Sequence, residues 1–176
     1  MDSITIRKAT AADMEVLLRF EQGVISAERP FDPTLKPDPN RYYDLEEMLT
    51  ASHIYLVVAE YDRRPIGSGY ARIEPAKPYL RHTRHAYLGF MYVEPAYRGK
   101  GVNKKIIGAL ADWALSKEIT ELRLDVYHEN VSAIRAYEKA GFIQHMVLMR
   151  RPVKASSPAD TQPAADGANK TQGPTR

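Results

Sequence analysis

Cysteine is absent from all 176 residues. Without a thiol the chain forms no disulfide, no thiolate metal site and no acyl-cysteine intermediate. Long apolar runs are missing as well. The longest, Ile54 to Ala59, is far too short to cross a bilayer, and the opening MDSITIRKAT has no apolar stretch of the kind a signal peptide needs. Nor does charge of one sign dominate: 25 Lys and Arg stand against 22 Asp and Glu, a formal net charge of +3 at pH 7. Basic residues dispersed this way argue against nucleic-acid binding, and the RHTRH run is too short to carry it alone. The expectation is a cytoplasmic protein with no nucleic-acid or membrane partner, long enough to bury one proper core.

A further absence marks a boundary. After Pro152 the segment VKASSPADTQPAADGANKTQGPTR has Val153 as its only large aliphatic residue. Such a segment buries too little apolar surface to offset its chain entropy. We expect a folded domain over 1–151 and a disordered tail over 152–176.

What is present reads as alternating strands and helices. Ile4 and Ile6 alternate with polar neighbours as a short strand, and Thr10 offers an N-cap to a helix running toward Ala27. RPFDPTLKPDPN, with four prolines, must be a loop, and YYDLEEMLTA a short helix. IYLVVAEYDRRPIGSGYARIE reads as a hairpin turning at Asp62 to Pro65, followed after PAKPYLRHTRH by the strand HAYLGFMYV. A helix then carries Val102, Ile106, Ile107, Leu110 and Ala114. A strand over Leu122 to Val126, a helix closed by Gly141 and a last strand, FIQHMVLMRR, complete the chain. The order βααβββαβαβ predicts an α/β (α+β) fold, a mixed sheet with helices on both faces.

Between the fourth strand and its helix lies Arg98-Gly99-Lys100-Gly101. A helix N-terminus exposes N–H groups that lack intrahelical partners, and its dipole adds positive character. Glycines permit a tight turn and a close approach, and Arg98, Lys100, Lys104 and Lys105 add charge. Together these suit an anion, most simply a pyrophosphate; a plain strand-to-helix turn has the same outline. The spacing fits neither a P-loop nor a dinucleotide-binding Gly-x-Gly-x-x-Gly turn, whose third glycine would be Lys104. Downstream, Asn130 and Tyr137 lie two helical turns apart on one face, about 10 Å along the axis, with Ala133 and Ile134 between them. They would form a groove with an amide at one end and a phenol at the other, or simply an N-cap and a half-buried core residue.

Val93-Glu94-Pro95-Ala96-Tyr97-Arg98-Gly99-Lys100-Gly101, followed by an amphipathic helix, resembles the acetyl-CoA motif of the GNAT superfamily of N-acetyltransferases. Asn130-x-x-Ala133-x-x-x-Tyr137-x-Lys139-x-Gly141-Phe142 resembles that family's second signature, in the usual order and separation, so the likeness spans residues 3 to 151. It implies a GNAT-like, mostly antiparallel mixed sheet, with acetyl-CoA as co-substrate and no metal. Backbone N–H groups from Arg98 through Gly99, Lys100, Gly101 and Val102 to Asn103 would cradle the pyrophosphate. Met91, Tyr92 and Val93 would pair with the pantetheine arm, and Asn130 would bond that arm or orient the next helix. Tyr137 would be the general acid. The family pattern is met at Arg98 and Gly101 but ends on Asn103 where Gly or Ala is usual, so that side chain must point away from the phosphates.

The resemblance implies direct transfer of an acetyl group to a primary amine of a small molecule. Acetylation of a peptide or protein amine, or a non-catalytic acyl-CoA sensor, are the alternatives, and a homodimer paired through the terminal strand is allowed. An alkyl amine must first lose a proton, which costs roughly 4 kcal/mol at pH 7. Where some family members carry a glutamate base on the central strand, this chain has Tyr87. The base is therefore open among His85, Glu74, Glu28 or a water chain. On the acceptor side, Glu21, Glu28, Asp32 and Asp38 could hold an ammonium, and Arg81, His82, Arg84 and His85 an anion. Phe31, Tyr42, Tyr43 and Tyr79 are candidate pocket walls.

Overall fold

A computed structural model of the chain describes residues 4–153. Two units are distinguished, Met1–Ile143 and Gln144–Arg176. The first contains strands β1 (Thr5–Lys8), β2 (Ile54–Tyr61), β3 (Arg64–Pro75), β4 (Arg84–Val93) and β5 (Leu122–Arg123). It also contains helices α1 (Met14–Glu28), α2 (Leu45–Thr50), α3 (Val102–Ser116) and α4 (Val131–Lys139). The strands form one sheet in sequence order, antiparallel except where β4 meets β5 in parallel.

Local chemistry sets the joints. The β2–β3 hairpin turns through Asp62 and Arg63, both with positive φ (49° and 62°), the twist that lets a two-residue turn continue a right-handed ladder. A 3-10 turn, Ala11–Asp13, leads into α1. The Asp13 carboxylate accepts the Thr10 amide at 2.8 Å and is clamped by both ends of the Arg7 guanidinium, each at 2.8 Å. Arg7 reaches Glu60 as well, so the start of α1 is tied to β1 and β2. Asp44 caps α2 by accepting the Glu47 amide.

The two faces of the sheet are covered differently. Val57, Ala59, Ile66, Ala71, Ala86 and Leu88 meet Val102, Ile106, Leu110 and Ala114 of α3. On the other face, Leu56, Val58, Tyr70 and Phe90 pack with Leu17, Phe20 and Val24 of α1 and with Leu45 and Met48 of α2. Each fully buried Leu or Ile contributes about 1.5–3 kcal/mol, so both faces are held by apolar burial.

The last two expected strands differ in the structure. The one predicted over Leu122 to Val126 stops at Arg123, because β4 offers partners only at Ala86 and Tyr87. The terminal strand expected over Phe142 to Arg151 does not form. Its residues have suitable side chains, but a strand exists only through a ladder with a neighbour, and these pair with none among the described residues. In the second unit, Met146, Val147, Leu148 and Met149 stand exposed. Of the tail expected over 152–176, residues 154–176 lie outside the described residues.

Candidate active site

The site begins as a fault in β4. Opposite Gly69 of β3, β4 inserts both Phe90 and Met91, since Ser68 pairs with Tyr92 and Tyr70 with Gly89. Phe90 takes φ +54°, a conformation bulky residues rarely adopt. Three contacts hold it there. The buried Ser68 hydroxyl donates to the Phe90 carbonyl at 3.0 Å, the Tyr43 ring lies 4.6 Å from the Phe90 ring, and the Tyr70 ring fills the space above Gly89. A bulge bends its strand and interrupts pairing. β4 and β5 accordingly pair only at Ala86–Leu122 and Tyr87–Arg123, which leaves the far edge of β4, Leu88 to Val93, without a partner strand among the described residues. This notch was not predicted; Gly89 within an apolar strand is the signal that would have located it.

Met91, Tyr92 and Val93 end β4 beside the notch. Glu94 donates to Ile66 on β3 and the Tyr92 carbonyl faces Gly67, so the Val93 carbonyl is left on the other edge. There it accepts from Arg98 Nε at 3.1 Å. Tyr92's ring packs against Gly23 of α1 and 4.9 Å from Phe20, and a Cβ at Gly23 would lie only 2.3 Å from it.

A 3-10 turn, Pro95–Tyr97, leads to the glycine turn. Gly99 and Gly101 have φ of +73° and +80°, and a Cβ at either would meet nothing within 4 Å. The space over the turn is open. Gly101 is the N-cap of α3, and the first intrahelical bond runs from the Lys105 amide to the Gly101 carbonyl. The amides of Val102, Asn103 and Lys104 precede that bond and have no carbonyl within the helix to reach. Val102 is buried, and Asn103 is helical and half-buried. Lys100 lies over the Tyr97 ring, while Lys105 is tied back to β1 through the Ile4 carbonyl at 3.0 Å.

Asn130 caps α4, accepting the Ala133 amide at 3.2 Å. Ala133, Ile134 and Tyr137 form the half-buried face of that helix. Burial, with a smaller push from Glu28, raises the Tyr137 phenol to about 12, so it is protonated at neutral pH. Tyr87, at the position where some family members carry a glutamate, donates to Asp125 at 3.2 Å. This pair was not foreseen, and it brings a carboxylate to the foot of the notch.

The three side chains named as bases fall in two places. His85 and Glu74 are register partners on β4 and β3 at the closed end of the sheet, before the β4–β5 contact. His85, where the sequence reading lets the connection and the strand HAYLGFMYV meet, is a strand residue and only 7% exposed. Its Nε2 faces Glu74 at 3.6 Å, Nδ1 is enclosed without a partner, and burial holds the imidazole below its usual range. Glu74 accepts two bonds from Arg72, at 2.6 and 2.9 Å. Glu28 ends α1, and burial pushes its carboxyl up.

Among the proposed acceptor-binding acids, Glu21 is fully buried and structural. Its carboxylate accepts the amides of Tyr42 and Tyr43 at 2.7 and 2.9 Å and pairs with Arg41 at 2.8 Å. Asp32 accepts the Thr34 amide and hydroxyl, and Asp38 pairs with Arg29. Arg81 and Arg84 are exposed, and Tyr79 is exposed rather than a pocket wall.

An unpaired strand edge leading to a helix N-terminus with two open glycines suits a thin, extended ligand ending in phosphates. The Acetyltransferase (GNAT) family model matches residues 22–142 of this chain. The chain belongs to the GNAT family. It is an acetyl-CoA-dependent N-acetyltransferase by that membership. The aminoglycoside N(6')-acetyltransferase type 1 of Stenotrophomonas maltophilia is 28% identical over 164 residues, 87% of this chain and 96% of that protein. Thialysine N-epsilon-acetyltransferase of Bos taurus is 43% identical over 58 residues, 33% of this chain and 34% of its own length. Among solved structures, a predicted acetyltransferase from Clostridium acetobutylicum with acetyl-CoA aligns with a TM-score of 0.67 at 19% identity, covering 85% of this chain and 96% of that one. At that identity the likeness is one of fold, and the five-stranded, mostly antiparallel sheet of this acetyltransferase conforms to it. No helix among the described residues is long and apolar enough to cross a membrane.

Proposed function

We propose that this acetyltransferase moves the acetyl group of acetyl-CoA directly onto a primary amine of a small, cationic molecule. The observation that carries the reading is the open edge of β4 leading to the α3 N-terminus with its two open glycines. The amides of the turn from Arg98 to Asn103, with the open glycines at 99 and 101, would hold the pyrophosphate. Met91 and Val93 would offer backbone groups to the pantetheine arm, with Arg98 releasing the Val93 carbonyl as it turns to a phosphate. Asn130 serves by fixing the start of α4, which carries Tyr137.

With its pKa raised to about 12, Tyr137 cannot acidify the thiolate in the ground state. It donates as charge builds on sulfur, when the proton is drawn to the leaving group. Backbone N–H groups at the end of β4 supply the oxyanion contact.

A small cationic acceptor is supported from two sides. Similarity runs along almost the whole of an aminoglycoside acetyltransferase, and the acceptor side of this chain presents the Glu28 and Asp125 carboxylates among phenols. The test is thiol release from acetyl-CoA with kanamycin, spermidine, glucosamine, free lysine and a short peptide with a free N-terminus. Turnover with the small polycationic amines is expected. Preference for the peptide would transfer the reading to protein acetylation, and tight acetyl-CoA binding without release would make the protein a sensor.

A further inference from the structure

The open step in this reaction is removal of the proton from the incoming ammonium, and the structure separates the groups available to do it. Glu74 is taken by Arg72, and His85 is enclosed beside it at the closed end of the sheet. Asp32 is committed to its own loop through Thr34, and to Tyr127, whose hydroxyl it meets at 3.4 Å. Asp125 is engaged by Tyr87 and exposed to solvent.

Glu28 is placed differently. It is the last residue of α1, where the chain passes into the 3-10 turn Arg29–Phe31. That turn docks on the segment joining β5 to α4: the Phe31 ring stacks on Tyr127 with centroids 6.1 Å apart. The Glu28 charge is felt by the Tyr137 phenol. Tyr42 and Tyr43, from the segment that Glu21 clamps to α1, feel the same carboxylate. The buried Tyr42 hydroxyl has no hydrogen bond of standard geometry, and Glu28 is the carboxylate with which it interacts. The groups facing Glu28 are thus the phenols of Tyr42, Tyr43 and Tyr137, with the Arg29 cation and Tyr127 acting on Tyr42 beside it. No salt bridge among those formed by the described residues involves Glu28.

We propose that Glu28 is the base of the reaction, binding the acceptor ammonium and taking its proton, with Tyr137 as the acid on the other side of the reacting centre. The inference rests on the transferase reading above. The protons balance without another reagent. Glu28 accepts one proton from R–NH3+, and the free amine forms a C–N bond to the acetyl carbon. As the C–S bond breaks, the electron pair leaves on sulfur, which takes the Tyr137 proton. The resulting phenolate recovers a proton from the N-protonated amide, and Glu28 returns its own to solvent. A carboxyl raised by burial is closer to the amine in basicity than an ordinary glutamate, which narrows the gap to be crossed.

The test compares wild type with Glu28→Gln and Glu28→Asp, using kanamycin, spermidine and glucosamine as probes across pH 6 to 10 (a range of about four units spanning ordinary amine titration). Expected for E28Q is a loss of about 100-fold in kcat/KM at neutral pH. The loss should shrink as pH approaches the amine's own pKa, and E28D should keep part of the activity. Acetyl-CoA affinity and the melting curve should match wild type. The Tyr137 phenol should titrate lower in E28Q, read by ultraviolet absorbance against Y137F, whether or not turnover occurs. Undiminished turnover by E28Q, or a deficit confined to KM and constant with pH, would overturn the proposal while leaving the transferase reading intact. Silence of the wild-type protein with every probe would overturn the small-amine reading and the proposal with it.

Discussion

The two faces of the sheet are built from different chemistry. Against α3 the packing is almost wholly aliphatic, with Val57, Ile66, Leu88, Ile106 and Leu110 at its centre. Beneath α1 and α2 it is aromatic and carries hydroxyls: Phe20, Tyr43, Tyr70, Tyr87, Phe90 and Tyr92. Aliphatic side chains offer nothing to a reacting substrate and can be packed to the limit. Phenols bring burial and a polar end together, and here those ends meet Asp125 and Glu28. Apolar burial holds both sides of the sheet, but the buried hydroxyls gather on one of them.

Mutations can break that division. Leu110→Ala, at a fully buried position on the aliphatic face, should cost about 2–5 kcal/mol of stability, measured by urea unfolding, with kcat/KM unchanged below the melting transition. Tyr137→Phe should do the reverse. Turnover should fall about 100-fold in a single-turnover assay, while acetyl-CoA affinity and melting temperature hold. An equal loss of stability and activity in either variant would erase the contrast.

Two smaller effects sharpen it. Asp13, held down to about 2 chiefly by its hydrogen bonds from Arg7, joins the start of α1 to β1 and β2. Its depressed pKa contributes stability that is complete above the ordinary aspartate range and is lost as pH falls through about 2. Because Arg7 is 39% exposed, solvent screening reduces the effect to about 1–2 kcal/mol. Asp13→Asn should unfold earlier at neutral pH, and the difference from wild type should fade in acid melts. Gly101→Ala has open space for its methyl but must hold φ +80°. A cost of about 1 kcal/mol in that left-handed conformation should appear as several-fold weaker acetyl-CoA binding by calorimetry.

Much of this was legible in the sequence because it depends on local rules. Gly99 and Gly101 before an amphipathic helix specify a left-handed turn and exposed amides, and Asn130 ahead of Val131 specifies a cap. Strand alternation located β1 to β4 to within a residue or two. The terminal strand failed because side-chain pattern expresses preference, whereas a strand needs a partner that the pattern does not name. The burial of His85 was illegible for a related reason: a polar residue in a basic stretch looks solvated until neighbouring strands close over it.

The sequence by itself determined the elements, the glycine turn, the absence of thiol chemistry and the membership that the paired motifs announced. These follow from short-range sterics, hydrogen-bonding capacity and periodicity, all readable along one dimension. Only the tertiary structure decided that Phe90 bulges, that β4 and β5 part after Tyr87, and that Asp125 meets the Tyr87 hydroxyl. It also brought Glu28 and Tyr137, 109 positions apart in the chain, into each other's electrostatic field. Such juxtapositions arise when separate apolar faces pack at once, and no single segment contains the information.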